Sequence, residues 1–410
     1  MIYTTFIQLY ALAIRIASYF NKKAALLYEG RKQTRTVLLN FKRDTNRKLV
    51  WFHCASLGEF EQARPIIEAI KKKENPQIAI SFFSPSGYQI RKNYELADVV
   101  FYLPSDTVAN AQFMLQQLQP SLVFVVKYEI WLNWINTIFK KSVPLYLISA
   151  TFHPGQIYFK WYGWLFKSAL KKFNLIFVQN QKSLHLLEKH GLKNVLFSND
   201  TRFDRVYETS INTLKLDLLS AFKNEQTILI LGSSYADEER LAAKYLEYSK
   251  DNIKIIIAPH QIDESRLQNI EGLFKKYSVL RYSQTTLFNA HKAKILLMDN
   301  VGYLAKAYQY ADVAIVGGGF GNNGIHNVLE AVAFGMPVFI GPKNHDKFPE
   351  VGLLQQQNIL RVISNEDDFM VELLAISTNI SHRVKVKELC KEFILNNIGA
   401  TQIVLQHVKL

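Results

Sequence analysis

Two cysteines, Cys54 and Cys390, lie near opposite ends of the 410-residue chain and make neither a disulfide framework nor a CxxC pair. A reducing compartment is the expectation. No His/Cys ligand cluster and no DxD-like acidic pair following a strand is visible, so no metal site is expected. The sequence also has no glycine-flanked aromatic RNA-binding signature, zinc finger or basic heptad, which removes nucleic acid from the expected partners. Neither a repeat of 20–50 residues nor a low-complexity tract appears. An A-x-A site is missing, and the basic charge follows the first apolar run instead of preceding it, which argues against a cleavable signal peptide.

With 49% hydrophobic and 13% aromatic residues the chain is rich enough to bury a large core, and its length calls for two domains. The formal net charge of +14 implies attraction to something anionic. Its distribution is uneven. Tyr3–Phe20 is apolar and aromatic with one internal charge, Arg15, and is followed by Lys22, Lys23, Arg31, Lys32, Arg35, Lys42, Arg43, Arg47 and Lys48. This order predicts an N-terminal anchor helix over residues 1–24, interfacial or a short span, whose basic flank meets an anionic membrane surface. The plain alternative is an amphipathic helix packed on its own domain.

From Leu49 onward, short β-rich runs alternate with helix-length segments: LVWFHCA, QIAISFFS, DVVFYLP, SLVFVVK, PLYLISA, LIFVQN and LFSN. After a polar stretch near residues 208–224 the pattern restarts with TILILGSS, KIIIAPH, YSVLRYS, KILLMD, ADVAIVGGG and PVFIGP. Continuous apolar runs separated by helices read as buried parallel strands. The expected fold is therefore α/β, with two tandem Rossmann-like domains, 25–208 and 209–410, facing a cleft that binds ligand at the strands' carboxyl ends.

The segment Ala311–Pro342 reads as strand, glycine-rich loop, helix, tight turn and strand. Gly317, Gly318, Gly319, Gly321 and Gly324 permit close backbone approach around Phe320, and a helix starting near His326 or Asn327 would aim N–H groups at a phosphate. Glu330, one turn on, would reach ribose hydroxyls. The loop comes too late in its domain for a dinucleotide fingerprint, so a sugar nucleotide fits better than NAD. In the first domain, Ser56-Leu57-Gly58-Glu59 obeys the S-x-x-E spacing of a capping box. On spacing alone Glu59 is a helix cap. Yet Gly58 disfavours the first turn and opens room beside the carboxylate, which lies at the end of the first strand.

Here a family resemblance enters. GGGFGNNGIHNVLEAVAFGMPVFIGP looks like the donor-binding segment of GT-B glycosyltransferases, and its HNxLE core resembles that of the 3-deoxy-D-manno-octulosonic acid (Kdo) transferases. WFHCASLGEFEQARPII is similar to that family's segment around its catalytic glutamate, YEIWLN to its E-x-x-W-x-N stretch, LGSSYADEE to its glycine–serine–acidic turn, and TRFD to its basic-Phe-Asp element. The resemblance implies a GT-B enzyme that moves Kdo from CMP-Kdo to a hydroxyl of a lipid A precursor with inversion, at the cytoplasmic face of the inner membrane. It implies Glu59 as general base, no metal and no cofactor. Ser233, Pro259, His260, Gly318, Gly319, Phe320, Gly324, His326, Asn327 and Glu330 would hold the nucleotide sugar, and Ser56, Gly58, Lys127, Glu129 and Arg202 would meet the acceptor or donor sugar. Departures from the family pattern are the lack of an arginine between Pro259 and His260, Arg202 in place of lysine, Leu132 in place of proline, and the aromatic stretch Ser149–Lys167, which suits a bilayer interface. Rival readings are a GT-B enzyme using a UDP-sugar, as transferase or 2-epimerase, and a catalytically silent scaffold.

Overall fold

The computed structural model describes residues 2–249, 253–322 and 324–409, and the chain falls into two compact units. The first comprises Met1–Arg205 with Asn397–Leu410, and the second Val206–Asn396. Every apolar run quoted above overlaps a strand. In the first unit β1 (Leu49–Cys54), β2 (Gln77–Phe82), β3 (Val99–Tyr102), β4 (Leu122–Val126), β5 (Leu145–Ala150), β6 (Leu175–Val178) and β7 (Val195–Phe197) form one sheet in the order β3-β2-β1-β4-β5-β6-β7. All its pairings are parallel. β1, β2, β4 and β5 are buried along their whole length because helices cover both sheet faces, which is why their sequences do not alternate.

The second unit repeats the plan. Its strands β8 (Thr227–Ser234), β9 (Ile253–Pro259), β10 (Val279–Arg281), β11 (Ile295–Leu297), β12 (Val313–Val316), β13 (Val338–Ile340) and β14 (Leu360–Val362) are parallel in the order β10-β11-β9-β8-β12-β13-β14. The strand order reverses between β1 and β4 in one sheet and between β8 and β12 in the other. At such a switch point the flanking loops diverge and leave a crevice at the carboxyl ends.

The tail expected to belong to the second domain, 209–410, returns to the first unit over Asn397–Leu410. One carboxylate explains the return: the Asp204 oxygens accept from the backbone N–H groups of Gly399 and Thr401, each at 2.6 Å, at the start of the helix Ala400–His407. Val404 and Val408 then complete the core built on β1, β2 and β4.

The anchor helix requires correction. Helix α1 (Ile2–Ala17) spans roughly 24 Å at 1.5 Å per residue, and among the described residues no helix is long and apolar enough to cross a membrane. It is amphipathic. Ile7 and Ile14 are buried against the first unit, while Phe6, Leu9, Leu12 and Ile16 are exposed. Tyr3 pins the helix start, its hydroxyl donating to Asp106 Oδ2 at 2.6 Å. Part of the basic flank is committed to the fold as well. On helix α2 (Lys22–Asn40), Arg31 donates to the Leu103 carbonyl and lies over the Phe83 ring; beyond it, Arg43 bonds the Leu118 carbonyl and Gln77.

Candidate functional site

In the first unit the chain leaves β1 through Ala55 and Ser56 and enters helix α3 (Leu57–Glu74). Phe60, Ala63, Ile66, Ile67 and Ile70 recur at helical spacing and bury one face of α3 in the core. That packing fixes the first turn, and with it Glu59. Both parts of the cap-or-base question are present. The Ser56 hydroxyl accepts from the Glu59 N–H at 3.5 Å, a long contact, while Glu59 Oε2 accepts from the N–H of Ala55 at 2.5 Å, one residue before the reciprocal partner a capping box would use.

The Glu59 carboxyl is also shifted toward its neutral form. Only 8% of the residue is exposed, and its pKa is pushed up to about 7, first by burial and then by the Glu129 charge, against the opposing Ala55 hydrogen bond and Lys127. A Cβ built on Gly58 would meet nothing within 4 Å, so the space beside the carboxylate is open. The neighbouring strand supplies the rest of the site. Lys127, at φ +60°, and Glu129 follow β4, which pairs with β1. Glu129 Oε2 accepts from Trp131 Nε1 at 2.9 Å and lies 3.7 Å from Nε2 of the buried His53. His53 and Trp131 were not among the expected site residues. A histidine pointing inward from a strand of apolar neighbours was the available signal for the first.

Arg202 is bound to the carboxylate of Asp200: Nε donates to Asp200 Oδ2 at 2.8 Å, and the Arg202 N–H donates to Oδ1. Asp204 is occupied by the C-terminal helix. The aromatic stretch is likewise split. Tyr158 is buried and Phe159 and Phe166 pack on the core, whereas Trp161 is 91% exposed, with Tyr162 and Trp164 also outside. Gly163 makes the fold-back possible, since a Cβ there would sit 1.6 Å from the Ile157 carbonyl oxygen.

In the second unit, the ends of β8, β9 and β12 bring together the turn at Ser233–Tyr235, the Pro259–His260 pair and the glycine loop. Gly317 lies against the Ser233 carbonyl, where a Cβ would come within 2.2 Å, and Gly319 against Gly341. Gly318 takes φ +97° and Gly324 φ +79°. The helix after the loop differs from expectation: it runs only Leu329–Ala333, and His326 and Asn327 precede it. The reason is local. The His326 N–H donates to the Gly317 carbonyl across the loop, and the Asn327 side chain accepts from the Leu329 N–H and donates to Glu330 at 3.2 Å. The Gly318 N–H donates to the buried Glu238 at 2.8 Å. Two donors of the expected phosphate cradle are thus already engaged, and the five-residue helix offers little dipole. Phe320 packs against the hydrophobic core of the second unit.

What the loop does present is a cluster of rings. His326 and His260 have centroids 4.7 Å apart, and the Tyr235 ring lies near-parallel to both, at 5.8 and 5.1 Å. Tyr235 Oη is 3.2 Å from His326 Nε2. Burial and the adjacent His260 push the His326 pKa down to about 4, so its ring is neutral at physiological pH. Ser233, at φ +52°, turns the chain beside this cluster, while the neighbouring Ser234 hydroxyl is taken up by Glu239 at 2.7 Å. Among the described residues no group of three or more His, Cys, Asp or Glu side chains is arranged to hold a metal ion.

Residues 30–205 match the family of 3-deoxy-D-manno-octulosonic-acid transferase (kdotransferase). A 3-deoxy-D-manno-octulosonic acid transferase of Aquifex aeolicus is 26% identical over 347 residues, covering 84% of this chain and 90% of the relative. Along most of its length the chain is similar to Kdo transferases. The enzyme of that name from Haemophilus influenzae is 27% identical over 378 residues, covering 88% and 86%. That similarity makes the chain a glycosyltransferase and removes the silent scaffold. Among solved structures, UDP-GlcNAc 2-epimerase from Neisseria meningitidis shares the fold with a TM-score of 0.62 over 88% of this chain and 99% of that one, at 12% identity. At that identity the likeness is one of architecture, so the two-sheet GT-B fold is common to both.

Proposed function

We propose that this protein is a Kdo transferase that takes Kdo from CMP-Kdo and passes it, with inversion, to a hydroxyl of a lipid A precursor in lipopolysaccharide biosynthesis. The observation that carries the chemistry is Glu59: a buried carboxyl, raised in pKa, at the end of β1 with open space over Gly58. A base works best when its pKa lies near the working pH. Glu59 takes the proton of the acceptor hydroxyl as the oxygen attacks the anomeric carbon, and the bond from that carbon to the CMP phosphate oxygen breaks. Attack opposite the departing phosphate inverts the centre and needs no second nucleophilic carboxylate. The second unit holds the nucleotide through the ring cluster and the glycine loop, and its side chains assist departure of the phosphate without a metal. Lys127 and Arg202 steer the anionic sugar.

Incubating the protein with CMP-Kdo and a tetraacylated lipid A precursor in EDTA is expected to give a product heavier by at least one Kdo, with matching release of CMP. Consumption of a UDP-sugar instead, or dependence on added metal, overturns this reading.

We further propose attachment to the cytoplasmic face of the inner membrane by an interfacial α1. Its outer face carries Phe6, Leu9, Leu12 and Ile16, and Tyr3 packs edge-on against Phe166, which places the helix start beside the segment bearing exposed Trp161 and Trp164. Lys22 and Lys23 are exposed and available to anionic head groups. The protein is expected to sediment with vesicles containing anionic lipid, and the double variant Leu12→Asp/Trp161→Asp to lose about tenfold in affinity with its circular dichroism unchanged. Equal binding by both proteins rules out this surface.

A further inference from the structure

The ring cluster contains one member to which no role has been given. Tyr235 lies in the turn after β8, and its phenol meets the ring nitrogen of His326 that points away from the backbone. A neutral imidazole has one N–H and one lone pair, so the partner of one nitrogen decides what the other can do. A phenol donates readily and a neutral ring nitrogen accepts readily, so the matched arrangement is Oη–H to Nε2. The ring proton then resides on Nδ1.

We infer that Tyr235 is a positioning residue that fixes the tautomer of His326, leaving Nδ1–H as a hydrogen-bond donor for the anionic leaving group. The arrangement is rigidly framed. Glu238 accepts from the Tyr235 N–H at 2.9 Å through one oxygen and from the Gly318 N–H at 2.8 Å through the other, so one buried carboxylate ties the tyrosine turn to the glycine loop. The His326 N–H is held in turn by the Gly317 carbonyl at 3.1 Å. Tyrosine and histidine are therefore fixed to the same short stretch of backbone. The stack with His260 further limits rotation of either ring. Held in this way, Nδ1–H donates without being transferred: negative charge growing on the departing phosphate oxygen is met by a donor already oriented, and no proton changes hands.

This assignment rests on the reading that the second unit holds the nucleotide, and the test separates the two. In protein labelled with 15N-histidine, long-range proton–nitrogen correlation spectra report which ring nitrogen of His326 is protonated, with His326→Ala assigning the signals. Wild type is expected to show the Nδ1–H form. Tyr235→Phe keeps the ring stack but removes the hydroxyl, and is expected to shift His326 toward the Nε2–H form and to lower kcat about tenfold, with KM for the donor little changed. An Nε2–H signal in wild type, one tautomer in both proteins, or an unchanged kcat overturns the inference. The wild-type spectrum alone remains decisive if the variant does not fold. Addition of CMP that perturbs neither His326 nor His260 defeats the nucleotide site while leaving the tautomer result intact.

Discussion

Glu59→Gln is expected to lower turnover by roughly 10²- to 10⁴-fold, the range general-base catalysis contributes, while the protein stays folded. The two consequences separate because the proposed proton transfer and the observed hydrogen bond ask different things of the side chain. Its carboxylate accepts from the Ala55 N–H, and a glutamine carbonyl does the same from the same place. Glutamine cannot take a proton. The acidic limb of the rate profile reports the same group: with a pKa near 7, the wild-type kcat/KM should fall tenfold per pH unit below that value, as the carboxylate that must act as base is protonated. Residual activity in the variant should lack this limb. Linkage gives an independent check. The folded pKa lies above the ordinary glutamate value, so the folded state binds more protons than the unfolded one between about pH 4.5 and 7, and stability falls as pH rises through that window. Removing the charge should leave the melting temperature at pH 8 equal to or above that of wild type. Turnover within a few-fold of wild type in a folded Glu59→Gln protein would remove the residue from the mechanism.

Gly318→Ala is expected to abolish measurable CMP binding, a loss of at least about 100-fold, and to lower the melting temperature. Two costs coincide at this position. The backbone sits at φ +97°, where a side chain is disfavoured by roughly 1–2 kcal/mol, and the new Cβ would lie 2.1 Å from the Gly324 carbonyl oxygen. That contact cannot be relieved by rotating a side chain, because its partner is backbone. Relief requires the loop to open, which moves His326 away from Tyr235 and breaks the Gly318 bond to Glu238. Gly321→Ala is the internal control: nothing lies within 4 Å of a Cβ there, and both binding and stability should stay near wild type. Calorimetric titration with CMP compares the three proteins, and tight binding by Gly318→Ala would show that the nucleotide does not use this loop.

The strands were legible because a strand buried on both faces must be apolar throughout, and runs such as LVWFHC and IKIIIAP have few other uses in a chain this rich in helix. β14 escaped because it is three residues long and carries Arg361 at its centre. The spacing after Ser56 marked Glu59 only as a cap, and the family resemblance marked it as a base; its raised pKa was not legible, since that comes first from burial and then from Glu129, brought alongside by pairing of β1 with β4. The glycine loop was visible, whereas the start of its helix was not. The register there is set by the Gly317 carbonyl reaching His326, a bond across nine positions that no local pattern encodes. Tyr235 was hidden for a related reason: in the sequence it is one more residue of a capped turn, and only the meeting of β8, β9 and β12 makes it the neighbour of two histidines.

The grip of Asp204 on Gly399 and Thr401 makes Val206–Asn396 an uninterrupted insert whose points of departure and return, Arg205 and Asn397, belong to the same body. The entire second unit is thus bounded by two closely tethered joints, so gene segments encoding it could be exchanged as a cassette between relatives while the host keeps every strand of its own sheet.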